Sequence, residues 1–249
     1  MITITPLGTV SPYPKNDMNC PSFLVESDNT KILLDIGNGS CRNLVFPTDL
    51  DNLNVVITHY HKDHYGDIGA LQYASFVYHN LGLLDEKINV YLPKDEFCSS
   101  RASITQNKES FCNYIDISDT KIGNIDCLFH DNKSHTIPSY MVRLNNNGVS
   151  IVYTSDIGMS NYSDLVDFCK DCDLLICESS FLIKHNSSNK IHMRAWDAAI
   201  LARDSDSKKL LLTHFWPEED KSLYLDEARE VFPNVDVARE KEKIKVLKR

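Results

Sequence analysis

Short apolar runs separated by polar turns follow one another along the whole chain, and this pattern predicts many short strands. Several runs are continuously apolar, which is typical of strands buried on both faces of a sheet. Asn145–Gly148 lies between two of the runs and predicts a hairpin turn. The predicted strands are Ile2–Pro6, Ser22–Val25, Lys31–Leu34, Asn54–Ile57, Asn89–Leu92, Asp126–Phe129, Tyr140–Leu144, Val149–Tyr153, Leu174–Cys177 and Leu210–Thr213.

Helical periodicity follows several of these strands, mostly in the second half of the chain. Early strands succeed one another directly, whereas later strands alternate with helices, and this order fits sheets covered by helices on their outer faces. The sequence contains no repeat and no flexible linker, so we predict a single domain over residues 1–249. The predicted helices are Gly69–Phe76, Tyr162–Phe168, Met193–Arg203 and Ser222–Val231.

Composition and charge narrow the classes of function. The chain has 249 residues, and its formal net charge is −9. A protein this acidic is a poor general ligand for nucleic acid, because such binding depends on neutralising many phosphates. No apolar run is long enough to span a bilayer, and the first residues lack the features of a signal peptide. We therefore expect a cytoplasmic protein with no membrane partner and no long nucleic acid partner.

The chain contains eight cysteines, and without a secretion signal we expect reduced thiols. Cys169 and Cys172 have the spacing of half a zinc ribbon, but the sequence offers no second pair of this kind. We predict no structural zinc site there, and the role of this pair stays open.

The most informative segment follows the apolar run Val55–Ile57 and carries four metal-binding side chains within six positions. His59 and His61 are two residues apart, so an extended chain directs both to the same side. Asp63 and His64 follow in the adjoining loop. One strand end can therefore serve two neighbouring metal ions, the first pair binding one ion and the second pair the other.

Three later residues also follow or precede predicted strands: His135, Asp156 and His214. Functional groups of layered α/β folds collect at strand ends, and a carboxylate there can bridge two cations. Taken alone, Asp156 could equally be a helix cap. Together with the histidine-rich segment, it is better interpreted as a metal ligand.

The order of these candidate ligands along the chain resembles the ligand pattern of proteins with the metallo-β-lactamase fold. The resemblance implies an α/β protein, an αββα sandwich of two mixed sheets flanked by helices, with two zinc ions at one edge. Asp35 and Gly37 resemble the family's early Asp-x-Gly turn, in which the aspartate orients the metal-binding loop. The same ligand types also accept Mn²⁺ and Fe²⁺. The resemblance implies the first zinc on His59, His61 and His135, the second on Asp63, His64 and His214, and Asp156 as the bridge.

The segment Leu174–Phe181 and the later His192 resemble a motif of the ribonuclease Z branch, although Cys177 replaces the family's histidine. Classical β-lactamases have cysteine where this chain has Asp156, so a periplasmic antibiotic hydrolase is not expected. The branch implies Asp63, Glu178 and His192 as catalytic residues, and the last two could protonate a leaving oxygen. The alternatives, a capping role for Glu178 and a cap or surface role for His192, stay open.

Transfer-RNA-processing members usually carry a long RNA-binding arm between the lone histidine and the bridging aspartate. Here only one predicted hairpin lies between His135 and Asp156. Armless relatives include cyclic-nucleotide phosphodiesterases of the anti-Pycsar type, some of them encoded by phages and acting in the host cytoplasm. The resemblance implies hydrolysis of 3′,5′-cyclic CMP and UMP, extending to AMP and GMP, by a homodimer. The loop Ser11–Lys15, which contains Tyr13, is a candidate lid over a nucleotide pocket or a plain connection.

Three other functions stay open at this point. The first is a ribonuclease Z-type endonuclease that processes tRNA 3′ ends, and the second is a hydrolase of lactones or thioesters. The third is a metal-stabilised binding module without catalysis, which the full set of candidate ligands disfavours.

Overall fold

The computed structural model describes residues 1–95, 98–185 and 191–248. Two seven-stranded sheets pack face to face, and helices cover their outer surfaces. This is the predicted αββα metallo-β-lactamase fold with two mixed sheets. None of the described helices is long and apolar enough to cross a bilayer.

In chain order, the strands are β1 Ile2–Gly8, β2 Ser22–Ser27, β3 Thr30–Leu34, β4 Leu53–Val56, β5 Ile88–Leu92, β6 Cys112–Asp116, β7 Thr120–Ile122, β8 Ile125–Asp131, β9 Tyr140–Asn146, β10 Val149–Tyr153, β11 Leu174–Glu178, β12 Leu210–Thr213, β13 Val235–Val237 and β14 Ile244–Val246. The helices are α1 Lys62–Tyr65, α2 Ile68–Asn80, α3 Ser99–Thr105, α4 Tyr162–Cys169, α5 Ala195–Asp204 and α6 Lys221–Arg229, and a 3₁₀ helix spans Ser40–Asn43.

Each sheet combines an antiparallel part with a parallel part. The first has the order β14-β1-β2-β3-β4-β5-β6 and is parallel from β3 onward. The second has the order β13-β12-β11-β10-β9-β8-β7 and is parallel from β10 to β13. Because the carboxyl ends of neighbouring parallel strands meet at one edge of a sheet, the loops after these strands can build a common site.

The buried strands supply side chains to two layers at once. Val56 of β4 points into the layer between the sheets, whereas Val55 and Ile57 pack on the side covered by α2. In the second sheet, Ile176 faces the other sheet and Cys177 faces the layer against α5. Continuous apolar runs are therefore needed, since a strand with both faces buried has no polar side.

All ten strands predicted from the apolar pattern are present, and the hairpin after β9 is also confirmed. Its two turn residues, Asn147 and Gly148, have φ values of 50° and 78°, the left-handed conformations that a type I′ turn requires. The pattern missed β6, β7, β13 and β14, which are edge strands or strands of three residues, and it missed the short helices α1 and α3.

The cysteines are all free thiols. Cys169 and Cys172 are both fully buried in the apolar layer between the second sheet and its helices, and the Sγ of Cys172 lies 3.2 Å from the Oγ of Ser207. Both thiols have pKa values raised mainly by burial, so they act as apolar packing groups rather than as reactive thiolates.

Candidate metal centre

The loops after β4, β8, β10 and β12 meet at one edge of the two sheets and bring together the candidate ligands. Two sets of side chains place one potential ligand atom each within 4.8 Å of one another. The first set is His59, His61, His135 and Asp156, and the second is Asp63, His64 and His214. The structure therefore brings together all seven residues that the sequence suggested as metal ligands.

The first set is built around three imidazoles that face one another. Nε2 of His135 lies 3.1 Å from Nδ1 of His61, and Nε2 of His59 lies 3.6 Å from Oδ2 of Asp156. Burial lowers the pKa of His59, and it lowers the pKa of His135 to about 4. These imidazoles are therefore neutral near pH 7, which is the form that binds a metal ion.

The second set also has the dimensions of a coordination site. Nε2 of His64 and Nε2 of His214 are 3.2 Å apart, and they lie 3.7 Å and 3.5 Å from Oδ2 of Asp63. Oδ1 of Asp156 is 3.0 Å from the first nitrogen and 2.9 Å from the second. Ligand atoms of a tetrahedral zinc ion with bonds of about 2.0–2.1 Å lie about 3.3 Å apart, so the spacing fits such an ion.

Hydrogen bonds on the opposite ring nitrogens orient two of the histidines. Nδ1 of His64 donates to Oδ2 of Asp35 at 2.7 Å. Nδ1 of His59 lies 3.1 Å from Oγ1 of Thr58, whose own proton goes to Asp35, so the imidazole must be the donor. In both rings Nε2 is left facing the candidate site, and Nε2 of His59 is buried without a hydrogen-bonding partner among the residues that the structure describes. A buried nitrogen that has no other partner and points at a carboxylate fits the role of a metal ligand.

Asp35 is the organising acceptor behind the ligands. It is fully buried and accepts hydrogen bonds from the backbone and hydroxyl of Thr58, from His64 and from the hydroxyl of Tyr153. Its φ of 59° lies in the left-handed region, which a non-glycine residue adopts at an energetic cost. Gly37 completes the turn because a Cβ there would come within 2.0 Å of the carbonyl oxygen of Asp63. The Asp-x-Gly turn thus packs directly against the metal-binding loop.

Charge differs between the two sets. Burial lowers the pKa of His214, but the nearby carboxylates of Asp156 and Asp63 raise it more strongly, to about 10. For Asp63 the balance is reversed, since burial raises its pKa but the imidazoles of His64 and His214 bring it below the usual range. In the metal-free protein, protons on these histidines balance the two carboxylates. A divalent cation can take over that role.

Glu178 and His192 form the predicted pair beside the metal ligands. Nδ1 of His192 donates to Oε1 of Glu178 at 2.8 Å, and the His192 ring stacks on His214 with centroids 5.5 Å apart. Burial lowers the pKa of His192, but the carboxylates of Glu178 and Asp156 raise it by more. The pKa of His192 is therefore higher than that of an isolated histidine. A third group of side chains has the spacing of metal ligands and consists of Asp156, His192 and His214. In this group, however, Nδ1 of His192 already donates to the carboxylate of Glu178. His192 is therefore placed to hold a proton rather than a third cation.

Glu178 does not cap a helix. It ends β11, and its carboxylate accepts from the backbone of Ile157, from the backbone and hydroxyl of Ser180 and from His192. His192 precedes the first residue of α5 by three positions, so it is not that helix's cap either. Neither side chain therefore serves as a helix cap.

The sequence patterns did not indicate the hydroxyl groups that hold the ligands. Ser11 donates to Oδ2 of Asp63 at 2.6 Å, and Ser180 links Glu178 to Nδ1 of His214. Ser155, next to Asp156, lies 2.6 Å from the hydroxyl of Thr58. Serine and threonine are common, so nothing but their positions beside ligand residues could have indicated them. Ser11 also shows that the loop Ser11–Lys15 contacts the site directly.

Comparison with known proteins agrees with this geometry. Residues 30–215 match the family described as the β-lactamase superfamily domain. The probable metallo-hydrolase YhfI of Bacillus subtilis is 27% identical over 213 residues, covering 85% of this chain and 86% of that protein. Ribonuclease Z of Chlamydia pneumoniae is 24% identical over an alignment of 291 positions, covering 94% of this chain and 93% of its own.

Solved structures show the same fold. The crystal structure of YhfI from Bacillus subtilis superposes with a TM-score of 0.89 at 24% identity and covers 98% of each chain. The short form of human tRNase Z superposes with a TM-score of 0.75 at 19% identity, covering 98% of this chain and 99% of that one. The match over residues 30–215 establishes that this chain belongs to the β-lactamase superfamily of metallo-hydrolases.

Proposed function

We propose that the protein is a dinuclear-zinc phosphodiesterase that hydrolyses 3′,5′-cyclic nucleotides to nucleoside monophosphates. The observation that carries the proposal is the position of Glu178 and His192 directly beside two metal-like ligand sets that share Asp156. A phosphodiester needs electrostatic stabilisation at phosphorus and a proton on its leaving oxygen. The two parts of this site match those two needs.

The first set would hold one zinc ion through His59, His61 and His135, and the second set another through Asp63, His64 and His214. Asp156 approaches both sets, with Oδ2 toward His59 and Oδ1 toward His64 and His214. Bound zinc ions supply a Lewis acid that acidifies water and neutralises charge on phosphoryl oxygens. Two zinc ions would bring four positive charges, which exceed the two negative charges of Asp63 and Asp156. The loaded site therefore favours an anionic substrate.

His192 supplies the leaving group's proton from Nε2. Its Nδ1 is held by Glu178, and the raised pKa keeps the ring protonated over a wider range of pH than an isolated histidine. Glu178 keeps its orientation because four hydrogen bonds fix its carboxylate. Asp63, held by Ser11, is the proposed acceptor of a proton from the attacking water.

A small substrate is favoured over tRNA by the segment between His135 and Asp156. In the structure this segment is a hairpin of β9, a two-residue turn and β10, and it does not form a protruding arm. The alignment with the Chlamydia pneumoniae ribonuclease Z runs over 291 positions, more than the 249 residues of this chain. That relative therefore contains segments that this chain lacks. The net charge of −9 also disfavours binding to a polyanion.

Processing of tRNA is the second candidate, because a relative covering most of the chain is named ribonuclease Z.

The main proposal also includes a homodimer. In it, the loop around Tyr13 would lie near the substrate bound to its own subunit or to the partner subunit. Tyr13 is 44% exposed, and its hydroxyl lies 3.1 Å from Glu218, so it stands at the rim of the site.

One assay separates these candidates. Zinc-loaded protein is incubated with 3′,5′-cyclic CMP, UMP, AMP and GMP, with a precursor tRNA, and with a lactone and a thioester. The proposal predicts conversion of cyclic nucleotides to monophosphates, intact tRNA, and no activity in Asp156→Ala. Cleaved tRNA with unchanged cyclic nucleotides would replace it by the ribonuclease Z function. Size-exclusion chromatography with light scattering tests the dimer in the same preparation.

A further inference from the structure

A row of four rings leads from the Glu178–His192 pair to the protein surface. The ring centroids of His192 and Phe181 are 6.2 Å apart, those of Phe181 and His185 are 6.2 Å apart, and those of His185 and Trp216 are 5.6 Å apart. Phe181 is half-buried, and Trp216 is 39% exposed. The proposed chemistry uses only His192, so the three outer rings have no role so far.

Backbone hydrogen bonds position the residues that carry two of these rings. Phe181 donates its N–H to the carbonyl of Met193 and accepts from the N–H of Ala195, which fixes it beside the segment that carries His192. The hydroxyl of Tyr224, which is fully buried, accepts from the N–H of Trp216 and donates to the carbonyl of Ser180. One tyrosine therefore couples the positions of Trp216 and of the residue preceding Phe181. A preorganised aromatic surface loses little entropy when it binds a ligand.

The charges along this row are balanced. His185 donates from Nε2 to Glu219 at 2.9 Å, and Lys184 lies 2.8 Å from the other oxygen of the same carboxylate. Glu218, two residues after Trp216, is paired with Lys15. The acidic groups near the rings therefore do not repel an anionic substrate, and the flat faces remain the main feature of the surface.

We propose that Phe181 and Trp216 form a stacking subsite for the planar base of the substrate. This inference rests on the proposed function, in which the phosphate of a nucleotide occupies the metal centre. His192 stacks on the ligand His214, and Phe181 lies one ring further out. A base joined to the phosphate through one sugar would then lie on the outer side of His192, against Phe181, with Trp216 further along the row. Stacking of a base on an aromatic side chain contributes about 1–3 kcal/mol and tolerates different bases.

Kinetics with and without a base test this subsite. Trp216→Ala and Phe181→Leu are compared with wild type on 3′,5′-cyclic CMP and on a methyl ribofuranoside 3′,5′-cyclic phosphate, which has no base. We expect the KM for cyclic CMP to rise about tenfold, as loss of one stacking partner implies. The KM for the base-free analogue should change less than twofold. Trp216→Phe should restore most of the affinity, and the control Tyr73→Ala, which removes an exposed ring on α2, should behave as wild type.

Zinc content and thermal midpoint, measured on each variant, show whether a loss of activity reflects damage to the fold. An equal loss of activity on both substrates, in a variant with normal zinc content, would overturn the subsite. It would leave the phosphodiesterase function intact, because wild type would still hydrolyse both.

Tryptophan fluorescence tests the subsite without turnover. Trp196→Phe leaves Trp216 as the remaining tryptophan, since the chain has two. We expect cytidine 5′-monophosphate to quench this variant, and ribose 5-phosphate to leave it unchanged. Quenching by both ligands or by neither would contradict stacking on Trp216. If wild type hydrolyses no cyclic nucleotide but the base-dependent quenching persists, the subsite stands and the proposed reaction fails.

Discussion

Oγ of Ser180 lies 2.8 Å from Nδ1 of His214, and this contact connects a candidate metal ligand to the Glu178–His192 pair. Because the hydroxyl proton of Ser180 goes to Glu178, the imidazole must be the donor in this contact. The serine thus keeps Nε2 of His214 directed at the candidate metal site and keeps Glu178 in place. One side chain serves metal binding and proton transfer together.

Removal of this hydroxyl should weaken both functions. We expect Ser180→Ala to lower zinc affinity about 10- to 100-fold, the usual effect of losing the partner of a metal-binding histidine. Ser180→Thr should retain most of it. The matched control is Ser179→Ala, because the neighbouring hydroxyl donates to the backbone carbonyl of Thr213 and touches neither Glu178 nor His214 in the described part of the chain. Zinc competition against a fluorescent chelator measures each affinity, and equal values for Ser180→Ala and Ser179→Ala would refute this role.

Asp35 should be essential for the folded site. Asp35→Asn keeps the shape but places an amide among donors from Thr58, His64 and Tyr153. A buried donor facing other donors should cost on the order of 3 kcal/mol of unfolding free energy. Tyr153→Phe, which removes one donor and leaves the carboxylate, should cost about 1 kcal/mol. Urea denaturation of the metal-free proteins gives both values. Similar costs for the two variants would show that Asp35 is not the organising acceptor.

The Glu178–His192 pair should matter in proportion to the basicity of the leaving group. We expect Glu178→Gln and His192→Gln to keep zinc but to slow hydrolysis of cyclic CMP by about 10²–10⁴-fold. Both variants should stay close to wild type on bis(p-nitrophenyl) phosphate, whose leaving group needs no proton. A similar loss on both substrates would mean that the pair acts through structure and not through proton transfer.

The apolar pattern identified the strands that carry the metal ligands because both faces of these strands are buried. The run Val55–Ile57 packs into two covered layers, as a continuously apolar strand does, and it leads directly into the histidines. β13 and β14 were missed because three residues are too few to show a periodicity. Their stability comes from pairing with β12 and β1, which the local sequence does not reveal.

The candidate ligands could be predicted because three histidines within six positions are unusual in a chain that has nine. The hydroxyls of Ser11 and Ser180 could not, since their partners lie 52 and 34 residues away in the chain. The same reason hides Trp216, whose closeness to His185 depends on where β11 and β12 end. Contacts across the fold, and not residue types, define these parts of the site.

The stability of the metal-free protein should fall as the pH rises above neutrality. The folded-state pKa of His214 is raised to about 10, and that of His64 is raised well above 6.5, chiefly by Asp156 acting against burial. Their stabilising contribution is complete below about pH 6.5 and is lost as the pH approaches 10. Urea denaturation at pH 7 and pH 9 should show this loss without zinc and little of it with zinc. Equal stability at both pH values without zinc would contradict the charge balance described for the second set.

The central claim is that two zinc ions and this set of ligands hydrolyse a cyclic nucleotide. The most direct measurement is the rate of 3′,5′-cyclic CMP hydrolysis while metal-free protein is titrated with zinc, with Asp156→Ala as the blank. We expect a rate that rises to a plateau at two equivalents of zinc in wild type and stays at background in the variant. No hydrolysis at any zinc ratio, in protein that binds two zinc ions and cleaves precursor tRNA, would contradict it.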